Sequence, residues 1–136
     1  MKIKLLENGI MPTKAHESDA GYDLYSTEDV MLYARGSVII DTEVCMQIPH
    51  GYAGLLVSKS GLNVKYGITS TGLIDAGYTG TIKVKLYNNS NDDYWICKGD
   101  KISQIMILPI FKEDLEIVES LEDTDRGTNG FGSSGR

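Results

Sequence analysis

Turn signals punctuate this chain from end to end. Glu-Asn-Gly stands at 7–9, Asp-Ala-Gly at 19–21, Ala-Arg-Gly at 34–36, Pro-His-Gly at 49–51, Asp-Ala-Gly at 75–77 and Lys-Gly-Asp at 98–100. A turn roughly every 12–15 residues leaves space for short strands and predicts an all-β sandwich or barrel. The stretches between the turns agree. From Thr81 to Tyr87 the residues alternate, with Ile82, Val84 and Leu86 facing one way and Lys83, Lys85 and Tyr87 the other, the pattern of a half-buried strand. The run from Ile102 to Ile110 is almost wholly apolar and reads as a strand buried on both faces, with a partner chain as one candidate cover. Met1 to Leu6 is strand-like, and one short helix is expected near Ser60–Tyr66.

With 136 residues and an apolar fraction of 41%, the chain fits one compact domain with a workable core. No linker or internal repeat divides it, and low complexity begins only after Asp125. A formal net charge of −6 argues against a nucleic-acid polymer as ligand. It leaves room for a small nucleotide held by a few local cations and a metal. Cys45 and Cys97 fall in no CxxC or Cys/His grouping and are expected as buried thiols in a reducing compartment. No stretch reaches the roughly 18 apolar residues of a membrane span, so a soluble, cytoplasmic protein with no membrane contact is expected. His16 and His50 show no partner pattern and are assigned to the surface.

Several short stretches carry chemistry, each open to a plainer role. Asp75, in Gly-Leu-Ile-Asp-Ala-Gly-Tyr, ends an apolar run; partial desolvation there would make it a better base, although Asp also commonly begins turns. Tyr78 is placed to pack on a sugar or to be an ordinary strand aromatic. Ser58-Lys59-Ser60-Gly61 offers hydroxyls, a cation and backbone N–H groups for phosphate, or a simple N-cap by Ser58 or Ser60. Asp19 and Asp23 flank a turn, where they can support a hydrated Mg²⁺ or be solvated. Gln104 is a lone amide among apolar residues and needs a backbone or ligand partner. The tail, Arg-Gly-Thr-Asn-Gly-Phe-Gly-Ser-Ser-Gly-Arg at 126–136, combines glycine-rich backbone, the guanidinium forks of Arg126 and Arg136, two serines and one aromatic. It suits a flap over a nucleotide or a flexible solvated end.

Taken in order, these stretches resemble the five motifs of the trimeric dUTPases, the deoxyuridine triphosphate nucleotidohydrolases. The motifs are Ala20-Gly21-Tyr22-Asp23-Leu24-Tyr25-Ser26, Lys59-Ser60-Gly61-Leu62, Gly72 to Gly80, Gly99 to Gln104, and Arg126 to Gly135. The resemblance runs from about residue 3 to the end, and the third and fifth motifs are highly specific. It implies a jelly-roll-like β-barrel over 1–122 and a mobile C-terminal arm over 123–136. It also implies a homotrimer whose active sites are shared between subunits, and Mg²⁺-dependent cleavage of dUTP to dUMP and diphosphate. That activity keeps uracil out of DNA and supplies dUMP for dTMP synthesis. Carried over, Asp75 activates the attacking water. Tyr78 packs under the deoxyribose. The backbone from Thr69 through Gly72, Leu73 and Ile74 reads uracil, and Lys83 adds a contact on the substrate side. Lys59, Ser60, Gly61 and Gln104 hold the phosphates, and Asp23 supports Mg²⁺ through water. Phe131 stacks over uracil, while Arg126, Gly132, Ser133 and Ser134 clamp the outer phosphates.

The chain departs from the family pattern in places. Lys59 stands where arginine is usual, Thr69 where asparagine is frequent, and Asn129 where glycine is common. The loop from Lys59 to Asp75 looks shorter than in some bacterial members. A dCTP deaminase shares the expected fold, but Lys85 falls where that family carries its catalytic glutamate. A regulatory protein that engages a partner through the nucleotide-bound trimer is the alternative from another class; an inert structural jelly roll is the third.

Overall fold

The structure, a computed structural model, describes residues 1–135, so Arg136 lies outside the described residues. In chain order the elements are β1 (Lys2–Leu5), β2 (Tyr22–Tyr25), β3 (Val30–Leu32), β4 (Ser37–Asp41), β5 (Val44–Gln47), β6 (Tyr52–Val57), α1 (Ser60–Tyr66), β7 (Ile68–Ile74), β8 (Lys83–Asn88), β9 (Tyr94–Ile96) and β10 (Lys101–Pro109). The turn signals stand between them. Leu6–Gly9, Tyr33–Gly36, Pro49–Tyr52, Asp75–Tyr78 and Cys97–Asp100 are each closed by an N–H donating to the carbonyl three residues back, at 2.9–3.1 Å.

All strand pairs are antiparallel. The main sheet has six strands in the order β2-β10-β6-β7-β8-β4; β1–β5 and β3–β9 form two smaller ladders. The sheet curls, because the β4–β5 turn carries the chain out of it and Ile82, just before β8, bonds back to that turn. Thr42 N donates to Ile82 O at 3.0 Å, and Ile82 N donates to Val44 O at 2.8 Å. Inside the curl lie Leu24, Ile40, Leu56, Ile68, Val84, Leu86, Ile96 and Ile105, all essentially without solvent contact. A Cβ at Gly54 would stand 2.7 Å from Ile105 Cδ1 and 2.9 Å from Ile48 Cδ1, so glycine is what lets β6 close on this core. The architecture is all-β and jelly-roll-like, with one short helix.

The alternation read from the sequence holds on β8, where Val84 and Leu86 are buried while Lys83, Lys85 and Tyr87 are exposed. With cover by a partner chain left open, the double burial expected across 102–110 holds within the single chain for the first half. There β10 lies between β2 and β6; beyond Ile105 it pairs with β6 alone, and Leu108 and Pro109 are exposed. The cysteines also differ from expectation. Cys45 sits half-buried on the face of β5 opposite Val44 and Met46, and Cys97 is exposed in the turn before β10. Both histidines are exposed, as expected. After Pro109 one further bond, Ile110 N to Gly51 O at 2.9 Å, ties the chain down. Residues 110–135 form no strand or helix and are almost wholly exposed. Among the described residues, no helix is long and apolar enough to cross a membrane.

Candidate active site

Two groups of side chains stand out, at opposite ends of the β6–β7 pair. The first surrounds Asp75, which follows β7 directly. Leu73, Ile74, Asp75, Tyr78, Thr81 and Lys83 line a surface pocket of about 250 Å³. The turn at 75–78 brings Tyr78 back over Gly80, where an added Cβ would stand 2.5 Å from Tyr78 Oη and 2.7 Å from Cζ. Glycine is therefore needed to seat this ring. The phenol is then fixed by donating to Thr81 O at 2.9 Å, and Thr81 Oγ1 donates to Asp41 Oδ2 at 2.8 Å. Asp75 itself is exposed, which corrects the desolvation expected from its apolar neighbours. The strand ends there, and nothing among the described residues covers it.

The second group lies where β6 runs into α1. Ser58 is not a helix cap. Its hydroxyl donates to Ser70 O at 3.2 Å and accepts from Ser70 N at 2.9 Å. The residue at the cap position is Lys59, and no side chain caps the helix. The first-turn N–H groups, which at any helix start lack intrahelical acceptors, therefore receive no side-chain acceptor either. Ser60 and Gly61 are exposed, and a Cβ at Gly61 would meet nothing within 4 Å, so no contact inside the chain demands glycine there. Gln104 finds a backbone partner, its Nε2 donating to Ser58 O at 3.1 Å. Asp23 is buried on β2 and not in a turn. Its carboxylate takes the ammonium groups of Lys59 and of Lys101, the latter at 2.9 Å. Burial pushes this carboxyl upward, but the hydrogen bonds and charges of the two lysines outweigh it and hold it below the ordinary value. Asp19 is separate and accepts from His16 N at 2.9 Å.

Register fixes the distance between the groups. Val57 faces Thr71 and Gly54 faces Ile74, so Ser58 meets Ser70, five residues before Asp75. That separation is on the order of 15 Å along a strand. One chain therefore does not bring Asp75 and Tyr78 together with Lys59, Ser60, Gly61 and Gln104. Thr69 also stays away from the Asp75 pocket: its hydroxyl accepts from Asn89 Nδ2 at 3.1 Å. Gly72 lies mid-strand, facing Leu56 across the ladder. In the arm, Arg126 Nε donates to Asn129 O at 2.8 Å, and the recorded hydrogen bonds of residues 124–135 all run within the arm. Phe131, Ser133 and Ser134 are exposed, with Phe131 at φ +48° beside Gly132 at φ +91°.

Sequence inspection missed Ser70, Ser103, Lys101 and Asn89. Ser70 Oγ and Ser103 Oγ are 2.8 Å apart, and Ser103 Oγ donates to Val57 O at 3.0 Å, a buried hydroxyl ladder beneath the Ser58–Gly61 loop. Ser103, between Ile102 and the lone amide Gln104 on a largely apolar strand, was the available signal. Lys85, the position that argues against deamination, is exposed with its ammonium 5.1 Å from the Tyr87 ring centroid. No group of three or more His, Cys, Asp or Glu side chains suited to a metal occurs among the described residues.

Known proteins share both sequence and fold with this chain. The dUTPase family profile matches residues 7–135. The deoxyuridine 5'-triphosphate nucleotidohydrolase of Candida glabrata is 40% identical over 139 residues, covering 100% of this chain and 96% of its own length. That of Paramecium bursaria Chlorella virus 1 is 43% identical over 133 residues, with coverage of 97% and 94%. The Staphylococcus bacteriophage 80alpha dUTPase, solved with dUpNHpp, superposes with a TM-score of 0.93 at 36% identity, covering 99% of this chain and 98% of that one. A mutant dUTPase of phage phi11 of S. aureus, solved with a structural Mg(II) ion, gives a TM-score of 0.82 at 35% identity, covering 90% and 98%. With a matching profile over nearly its whole length, full-length relatives near 40% identity and the same curled antiparallel sheet, the chain belongs to the dUTPase family.

Proposed function

We propose that the protein hydrolyses dUTP to dUMP and diphosphate, with Asp75 as the base. One observation carries this: a carboxylate at the lip of a small pocket whose wall is a tyrosine held on a glycine. The pocket suits a pyrimidine nucleoside. Tyr78 packs against the deoxyribose and leaves no space for a 2′-hydroxyl, and the Leu73–Ile74 backbone reads uracil against its 5-methyl analogue. Lys83 closes the substrate side. Thr69, with its hydroxyl held by Asn89, contributes backbone only. Asp75 takes a proton from water as the water oxygen bonds the α-phosphorus in line. The bond to the bridging oxygen breaks and diphosphate leaves. Lys59, Ser60, Gly61 and Gln104 orient the phosphates, with Ser60 beside the bridging oxygen, so most of the work is positioning and charge neutralisation.

Mg²⁺ is the proposed cofactor. One buried carboxylate already serving two lysines does not suit an all-protein cage, but it suits an ion held mainly by phosphate oxygens and water. Asp23 keeps lone pairs free to accept from metal-bound water. Bound there, the ion would neutralise charge developing on the phosphates.

We further propose a homotrimer with shared sites. The distance between the two halves supports it, since the Asp75 pocket of one subunit needs the Ser58–Gly61 loop of another. Leu115, Ile117 and Leu121 support it too; they are nearly fully exposed in the single chain and call for cover. The arm, taken as 123–136, then closes over a neighbour's site. Phe131 lies on uracil, and Arg126, Gly132, Ser133 and Ser134 lie on the outer phosphates. Free thiols, one exposed, suit a reducing cytoplasm. A regulatory protein partner is a second role compatible with this assembly; the 80alpha enzyme is described as controlling transfer of virulence genes by a G protein-like mechanism.

Diphosphate release from dUTP, dCTP, dTTP and UTP in Mg²⁺ tests the proposal. dUTP should far exceed the others; equal rates would sink the specificity, and ammonia from dCTP would favour deamination.

A further inference from the structure

Asp23 stands between two lysines, and only Lys59 has a task so far. Lys59 and Lys101 each take one oxygen of the carboxylate, and among the described residues these are the recorded ion pairs. The Asp23 side chain is 7% exposed, whereas Lys59 and Lys101 are 27% and 44% exposed. The anion is thus sunk and the cations lean outward. One carboxylate therefore serves two ammonium groups, with Asp19 a more distant charge acting on Lys101.

We infer that Lys101 is a positioning residue: it keeps Asp23 neutralised so that Lys59 is free to leave the carboxylate for an incoming phosphate chain. This rests on the nucleoside-triphosphate function proposed above. Stripping a buried carboxylate of every cation is strongly disfavoured. With Lys59 as its sole partner, Asp23 would hold that ammonium back from substrate. With Lys101 on the other oxygen, Lys59 can swing on its flexible stem and Asp23 still keeps a counter-charge. The backbone is arranged for this. A bulge breaks the β10–β2 register between Lys101 and Ser103, and bulges re-aim side chains beside active sites. Lys101 also lines, with Leu62 of α1, a cavity of about 160 Å³, which sets it beside the helix that begins at Ser60.

Calorimetric titration of the full-length protein in Mg²⁺ with dUpNHpp and with dUMP tests this, on wild type, Lys101→Met, Lys101→Arg, Asp23→Asn and the Asp23→Asn/Lys101→Met double variant. Lys101→Met should weaken dUpNHpp by about five- to tenfold and leave dUMP unchanged, and Lys101→Arg should restore binding. In the Asp23→Asn background, Lys101→Met should have no further effect, because the charge that Lys101 neutralises is gone. Unchanged dUpNHpp binding, equal weakening of both ligands, or additive effects in the double variant would each overturn the inference. A wild type that binds dUpNHpp but does not turn over dUTP removes the hydrolase proposal alone, while one that binds no dUpNHpp removes both.

Discussion

Asp75 shows what a single residue owes to its neighbours. Its sequence context points to a desolvated base, yet in the folded chain it is exposed at the end of β7. Nothing among the described residues of the single chain desolvates it, so the residue's contribution is first one of position. Asp75→Asn keeps shape and one acceptor oxygen but loses the ability to take a proton. Nucleotide binding should therefore survive, with dUpNHpp affinity within a few-fold of wild type. Turnover should fall by about 10²–10⁴. Unchanged diphosphate release would move the base elsewhere. Lys59 illustrates the converse. A guanidinium there would grip Asp23 and phosphate alike through a rigid fork, whereas an ammonium on a flexible stem can serve first one and then the other.

Three strands meet at Asp23: β2 carries it, the loop after β6 brings Lys59, and β10 brings Lys101. Its folded-state carboxyl lies below the ordinary 3.8. The clamp thus adds stability that is fully present above the unfolded value and lost as pH falls through the folded one. Thermal midpoints should drop on acidification below about pH 4 in wild type. Asp23→Asn should destabilise by about 2 kcal/mol at neutral pH and flatten that acid limb; an equally steep limb in the variant would assign the acid sensitivity to other carboxylates. The clamp was invisible in the sequence because its members lie 36 or more positions apart. What could be read there was local. Alternation gave β8, since one face must be dry, and the turn residues gave the strand boundaries. The helix limits at Ser60–Tyr66 were also legible, although the cap chemistry was not: Ser58 spends its hydroxyl on Ser70, a strand neighbour rather than the helix. The strand order β2-β10-β6-β7-β8-β4 arises from non-local pairing, and it decides which half of the site each residue joins. Ordered motifs named the candidate residues; only register shows that one chain keeps Asp75 apart from Lys59.

At the scale of the whole molecule, the proposed division of the site between chains makes a prediction that no single-chain arrangement shares. A protein ending at Asp125 lacks Arg126 and the glycine-rich arm but keeps the strands, whose last residue is Pro109. Its mass by light scattering should match that of the full-length assembly, and dUTP turnover should fall by two orders of magnitude or more as the closing lid is lost. Full activity in the truncated protein would remove the arm from the mechanism. The truncated chain and full-length Asp75→Asn are then each inactive for a different reason. Co-expressed, they would assemble into mixed oligomers. If Asp75 and the arm at one site come from different subunits, some sites receive an intact Asp75 from the truncated chain and an intact arm from the variant. In a closed symmetric trimer that holds both chains, about one site in three should be whole, whichever chain is in excess. If instead each chain folded its own arm over its own Asp75, every site in every mixture would lack one or the other, and no activity would return. Recovery near that fraction, purified through tags on both chains, would establish that the exposed tail of one subunit completes the pocket of another; its absence in verified mixed oligomers would place the arm back on its own chain.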